Sequence, residues 1–356
     1  MAGIMMLLAT ILVLSNSVVK DHAAALDCGG KPSSWGGANY RFVGKGGFKT
    51  VQAAIDSIPS YNKWWIKVHI QQGTYVEQVT IPYDKPCVFL EGEGQKETTI
   101  IYNGHNQMDQ SATFSSYPPN VVAKGITFQN SYNLRTSIPK IYSPNPGTGP
   151  GPIDGNLVDE PYGNGIVPAL AARVYGDKTA FYDCSFVGVQ DTLWDATGRH
   201  YFSNCYIQGA VDFIFGRGQS FYENAEIYAT GGGYITAQGR ATMNDPSGFV
   251  FFGGSVGASP GVSICLGRAY GPYSRVIFQS TYMTAAIDPH GWDAWRYVGQ
   301  EKNIFYVEAN CKGPGSDRSK RVPWEKNLDR YPSLLRQYSR DAFVNRDGWI
   351  GNQPTS

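Results

Sequence analysis

Charge is scarce in this sequence, and neither sign dominates. Lys plus Arg number 30 and Asp plus Glu 29 among 356 residues, 17% in all, where about 25% is usual. A net charge of +1 supplies no broad phosphate-neutralising field, which argues against a nucleic-acid binder of that kind. Long apolar runs are equally rare. Ile4 to Val19 is one, and no later stretch has the about 18 apolar residues that a membrane span needs. The six cysteines (Cys28, Cys87, Cys184, Cys205, Cys265, Cys311) include no CxxC pair of the zinc-binding kind. The five histidines show no HExxH spacing, and no N-x-[ST] sequon with a permitted middle residue occurs.

Glycine, in contrast, is abundant: 42 residues, about 12% against a typical ~7%. Aromatics reach 13%, too many for a disordered chain. The combination suits many short strands joined by tight turns. At the N-terminus, the apolar Ile4–Val19 stretch is followed by Ala23-Ala24-Ala25. That is the layout of a signal peptide over residues 1–25, although its n-region lacks Lys and Arg; an uncleaved anchor is the alternative. Export would leave 26–356 as one domain in an oxidising compartment.

The middle of the chain repeats. Phe181-Tyr-Asp-Cys-Ser-Phe-Val-Gly-Val-Gln-Asp191 aligns without a gap on Phe202-Ser-Asn-Cys-Tyr-Ile-Gln-Gly-Ala-Val-Asp212. Cys184 falls on Cys205, Gly188 on Gly209 and Asp191 on Asp212. A third copy, Phe221-Tyr-Glu-Asn-Ala-Glu-Ile227, follows about 20 residues later, with echoes at Ile126–Asn130, Phe249–Val256 and Val276–Met283. Short alternating strands at this period predict an all-β solenoid whose stacked coils share one core. Thr50 can N-cap a short helix with Val51, Ala54, Ile55 and Ile58 on one face, a plug for an open coil. Residues 137–165 read as a long Pro/Gly-rich loop, and Leu328 to Phe343 as a C-terminal helix. Cys184 and Cys205 either form a disulfide between adjacent coils or pack as stacked thiols.

Equivalent positions in adjacent coils lie about 4.8 Å apart, so Asp191 and Asp212 should be stacked neighbours. Two such carboxylates do not both ionise readily, which separates a proton donor from a nucleophile or base. Gln190 adds an amide beside Asp191. Asp212-Phe-Ile-Phe-Gly216 is apolar enough to exclude water, and Leu266-Gly-Arg268-Ala-Tyr270 brings a cation and an aromatic ring. The rival reading is that both aspartates merely cap turns.

With Gly73-Thr-Tyr-Val-Glu77, Gln190-Asp-Thr-Leu193, Asp212-Phe-Ile-Phe-Gly216 and Leu266-Gly-Arg268 in this order, the sequence resembles the carbohydrate-esterase pectinesterases, or pectin methylesterases. The resemblance runs from about Phe48 to Trp349. It implies a right-handed parallel β-helix with short capping helices. It also implies a secreted cell-wall enzyme, without the inhibitor-like pro-region, that hydrolyses the methyl esters of homogalacturonan. It makes Asp212 the nucleophile, Asp191 the acid and then base, Gln190 an oxyanion donor, and Arg268 the residue that orients Asp212 and contacts substrate. Thr113, Phe213, Arg268 and Tyr270 are implied as substrate contacts. The resemblance further implies no metal or cofactor, a monomer without nucleic-acid or membrane partners after signal removal, and a proteinaceous pectinesterase inhibitor as a partner besides pectin. Two positions depart from the pattern. Pro168 stands where the family has a second oxyanion Gln, and it offers neither an amide side chain nor an N–H. Tyr270 replaces a common Trp.

Other readings are weaker. Gly257-Ala-Ser259-Pro-Gly261 matches a serine-hydrolase elbow, but Pro260 removes the N–H that the oxyanion hole needs. Gly92-Glu-Gly94 is too short to cradle a phosphate. Two close carboxylates would also suit a retaining glycosidase, yet the Asn-Thr-Asp and Gly-His-Gly motifs of polygalacturonases are missing. A calcium-dependent lyase lacks an acidic ligand cluster here. A catalytically weak or inactive pectin-binding wall protein remains, with Pro168 as its support.

Overall fold

Short strands, most of three to five residues, wind into coils that stack by parallel pairing. The computed structural model describes residues 28–108, 110–135 and 165–355. The signal-peptide segment and the 137–164 part of the Pro/Gly-rich stretch lie outside these. One sheet has eleven strands, running from Tyr40–Val43 to Lys326–Asn327, and the other has fourteen. All their pairings are parallel. The larger sheet covers two sides because Tyr206–Gly216 and Glu226–Gln238 run through a corner. The first half of Tyr206–Gly216 pairs with Ser185–Val187 and its last residues pair with Leu193–Asp195. The result is a parallel β-helix, the solenoid expected from the repeat in the form that the resemblance implies.

One corner is keyed by a left-handed residue in seven successive coils. Gly125, Asp183, Asn204, Asn224, Gly253, Ser280 and Asn310 all have φ between +51° and +69°, a region that Gly, Asn and Asp tolerate best. From Gly125 to Ser280, each donates its N–H to a carbonyl of the next coil at 2.8–3.0 Å. Inside, the aligned aromatics form a continuous stack: Phe181–Phe202 (5.1 Å), Phe202–Tyr222 (4.4 Å), Tyr222–Phe251 (4.6 Å) and Phe251–Phe278 (4.5 Å). Burial of each ring contributes about 1.5–3 kcal/mol. In the third copy Tyr222 stacks on Phe202. Phe221 pairs with Tyr201 and faces outward, because a one-residue slip reverses the face of a strand.

That outer face is a second core. Val122, Ala180, Tyr201, Phe221, Val250, Ile277 and Val307 are covered by Leu328, Leu335, Phe343 and Trp349 of the C-terminal segment. The single helix expected there is instead two four-residue turns, Pro332–Leu335 and Arg340–Phe343. Ser339 is extended and N-caps the second turn through Ala342 N–H, so the backbone cannot run on as one helix.

At the other end, Val51–Asp56 forms the plug. Thr50 accepts from Ala53 N–H at 3.1 Å, and Val51, Ala54 and Ile55 are buried. Ile58 is buried too, just beyond the helix. Glu77 closes this helix as well: its two carboxylate oxygens accept from the N–H groups of Val51 (2.8 Å) and Gln52 (2.9 Å). Negative charge belongs at a helix N-terminus. The glutamate of the Gly-Thr-Tyr-Val-Glu motif therefore serves the cap.

Cys184 and Cys205 are free, buried thiols, and the disulfide joins Cys28 to Cys87. In-register stacking holds residues about 4.8 Å apart, whereas a disulfide needs Cβ atoms ~3.8 Å apart. Burial pushes the Cys184 thiol up to about 12. Ser259 of the elbow-like pattern lies in a turn, its carbonyl accepting from Val262 N–H at 3.1 Å, with no helix following.

Candidate active site

The two aspartates occupy the same corner of consecutive coils. Gln190 bridges to Val211, Asp191 N–H donates to the Val211 carbonyl at 3.0 Å, and Leu193 pairs with Ile214. The 21-residue offset therefore persists through the bend. Asp191 (φ +58°) and Asp212 (φ +48°) are both left-handed, and the ladder shifts register on either side of Val211. Such irregularities re-aim a side chain. The aligned glycines have a steric cause. A Cβ at Gly209 would lie 2.2 Å from Cβ of Phe213, and one at Gly188 would lie 2.7 Å from Oγ1 of Thr192. In each coil the chain folds back so that residue i+4 fills the space a side chain would take.

Arg268 comes from Cys265–Ala269, two coils beyond Asp212. Its Nε donates to both Asp212 oxygens, at 2.9 and 3.0 Å, and Nη2 also contacts Oδ2. The two side chains are 15% and 9% exposed, so solvent screens the pair little. Arg268 is held from behind. Its Cζ lies 3.9 Å from the ring centre of Trp295 and 4.9 Å from that of Tyr234. Trp295 has φ +47°, an outlying conformation for so bulky a residue. Asp293 fixes it by accepting from Trp295 N–H at 2.7 Å and from the Tyr234 hydroxyl at 2.5 Å. Burial, and then the Asp293 charge, push the Tyr234 hydroxyl well above its usual value, so it remains a donor.

Gln190 is buried beside Asp191, and its Oε1 accepts no hydrogen bond. Pro168 is buried one coil earlier, and the next residue, Ala169, donates its N–H to the Gln190 carbonyl at 3.2 Å. Tyr270 stacks on Trp295 at 5.8 Å.

Two implied substrate contacts fall elsewhere. Thr113 is fully buried and its hydroxyl donates to the Gln129 carbonyl at 3.0 Å. Phe213 is also fully buried, packed in the interior core. Next to the outward Asp212, strand alternation turns Phe213 inward, so neither side chain offers surface to a ligand.

A row of aromatic rings, of which only Phe215 belongs to a named motif, runs from exposed Tyr83 to buried Phe215. Tyr83, Tyr117, Tyr175, Trp194 and Phe215 follow one another at 4.9, 5.5, 6.0 and 5.4 Å. The Arg173 guanidinium lies 4.6 Å from Tyr175 and 4.5 Å from Trp194. Trp194 and Phe215 are 21 residues apart and pair in register, so the repeat itself held this signal. Trp295 had none, because it lies past the recognisable copies. Among the described residues, no three His, Cys, Asp or Glu side chains gather as metal ligands would.

The whole arrangement is an arginine-bound carboxylate with a second carboxylate and an amide one coil away, at the end of an aromatic track. It is equipped for nucleophilic attack on a carbonyl and transfer of a proton. A family model described as Pectinesterase matches residues 41–135 and 160–347. The chain is 43% identical over 318 residues to "Probable pectinesterase 55" of Arabidopsis thaliana, covering 87% of this chain and 89% of that protein. "Probable pectinesterase 29" of the same plant is 42% identical, with 87% and 88% covered. Among solved structures, the pectin methylesterase from carrot superposes with a TM-score of 0.77 at 26% identity, over 92% of this chain and 99% of that one.

Proposed function

The chain belongs to the pectinesterase family, and from that premise we propose that it demethylesterifies cell-wall pectin through Asp212 and Asp191. The Asp212 carboxylate attacks the carbonyl carbon of a galacturonate methyl ester. The resulting oxyanion accepts a hydrogen bond from the Gln190 amide. Asp191, protonated, gives its proton to the departing methoxide, which leaves as methanol while an acyl-Asp212 anhydride remains. Asp191, now a carboxylate, takes a proton from water as that water attacks the acyl carbon. Collapse frees the galacturonate acid and restores both aspartates.

The observation that carries this reading is the Arg268 clamp. Three contacts from one guanidinium hold the Asp212 carboxylate in a fixed orientation for attack. The aromatic track suits sugar rings, whose C–H faces pack on π surfaces. Secretion after cleavage near Ala25 fits the N-terminal sequence, and no helix among the described residues is long and apolar enough to cross a membrane.

Pro168 favours one second reading, a weak or inactive pectin-binding protein. Methanol release from highly methylated pectin separates the two when wild type and Asp212→Asn are compared. Release by wild type alone supports the mechanism, and equal release by both removes Asp212 as nucleophile. No release from either, with pectin still bound, leaves the binder.

A further inference from the structure

A cluster of guanidinium groups without enough carboxylates lies away from the catalytic corner, on the outer face of the eleven-stranded sheet. Arg199, Gln219 and Gly248 are register partners in successive strands, and Arg275 follows in the next. The C-terminal segment arches over this row and leaves a cavity of about 370 Å³ lined by Arg199, Gln219, Arg275, Tyr338 and Arg346. Gly248 is a condition of its shape. A Cβ there would lie 2.7 Å from Cδ of Arg275, so the arginine stem crosses where any other residue would stand.

The charges are unequal. Arg199 is matched by Asp177 and Asp347. Arg275 Nη1 donates only to the carbonyls of Pro246 and Ser247, and its Nε is buried with no hydrogen-bond partner. Arg346 Nε donates to the Ala342 carbonyl. Arg240, beside Arg275, donates to the carbonyls of Asp245, Tyr273 and Met243. Burial draws both Arg275 and Arg240 below the usual arginine value, and for Arg240 the charge of Arg275 adds to it. A buried N–H without an acceptor is unfavourable, and an anion in the cavity would relieve that cost along with the like-charge repulsion.

We propose that this cavity is a second carbohydrate site, which binds a free uronate carboxylate of demethylated polygalacturonan. The inference rests on the esterase reading, because demethylation is what creates those carboxylates. The planar guanidinium fork matches a carboxylate, and the Tyr338 ring supplies an apolar wall for the sugar. The volume lies within the about 300–1,000 Å³ of small-molecule sites. With a net charge of only +1, the whole chain attracts a polyanion weakly, so a local site must do the holding. The enzyme would thereby stay attached to the stretch it has just demethylated.

Calorimetric titration of the full-length mature protein with fully de-esterified trigalacturonate tests this, with Arg275→Gln and Arg346→Gln alongside. Arg346 is exposed and bonds only to a backbone carbonyl in this region, so its replacement leaves the fold intact. Wild type should show a binding event that weakens about 10- to 100-fold in each variant, the worth of a charged hydrogen bond. Methanol release from a short methylated oligomer should stay unchanged. Equal isotherms for all three proteins would overturn the proposal. So would competition for the cavity by inorganic phosphate with no trigalacturonate event. Loss of methanol release in wild type with the binding event intact would sink the esterase reading instead, so the two failures are distinguishable.

Discussion

Replacing Pro168 with glutamine gives the sharpest test of how the oxyanion is stabilised. The position is buried, and the chain there lies one coil before Gln190, with Ala169 N–H fixed on the Gln190 carbonyl. A glutamine at 168 would add an amide on the same row as that of Gln190. A preorganised oxyanion donor is worth about 2.7–4 kcal/mol. Ordering a glutamine side chain costs about 1.5–2 kcal/mol. The difference, about 0.7–2.5 kcal/mol, corresponds to a roughly 3- to 70-fold rise in kcat at 1.36 kcal/mol per decade. Because the donor acts on charge that appears only in the transition state, KM should hardly move. Losing the proline lets the unfolded chain relax and costs about 0.4–1 kcal/mol of stability, so Tm should fall slightly while activity rises. Initial rates of methanol release at saturating pectin read the effect directly. An unchanged or lower kcat in a folded variant would refute the reasoning and mean that another group already serves the oxyanion.

Arg321 and Glu308 form a buried bidentate pair, 3% and 1% exposed, at 2.7 and 3.0 Å, with Trp292 Nε1 donating to the same carboxylate. Glu308→Ala should cost about 3–5 kcal/mol by denaturant titration, and a loss under about 1 kcal/mol would show that the pair is dispensable. Asp177 and Asp347 both lie below their ordinary 3.8: burial alone would raise them, but Arg199, joined by Lys178 at Asp347, outweighs it. A lowered folded value contributes stability that is complete above pH 3.8 and lost as pH falls through it. Arg199→Gln should therefore flatten the acid limb of a Tm–pH curve below pH 3.8. An unaltered limb would assign acid unfolding to other carboxylates.

The coil architecture could be read in the sequence because gapless copies at 21 residues have a direct structural counterpart. The offset that aligns Asp191 with Asp212 also aligns Cys184 with Cys205 and Trp194 with Phe215, and the structure keeps it throughout. What could not be read depends on direction within a strand or on distance along the chain. Phe213 shares a motif with Asp212, yet alternation sends it inward. Phe221 looks like the repeat's leading phenylalanine, but a coil one residue shorter puts Tyr222 in that role. Trp295 supports Arg268 from beyond the recognisable copies, in a strained conformation that no local pattern announces. The Cys28–Cys87 bond joins residues 59 apart, and no periodicity relates them.

The helix at Val51–Asp56, with Glu77 on its first turn, closes one end of the stack. A stack of parallel coils is open-ended by construction, and a bare terminal coil offers an unpaired strand edge to the next copy of itself. Growth from such an edge is one-dimensional and has no natural stopping point. By burying Val51, Ala54 and Ile55 against the first coil, six residues and one carboxylate deny its apolar interior to such growth.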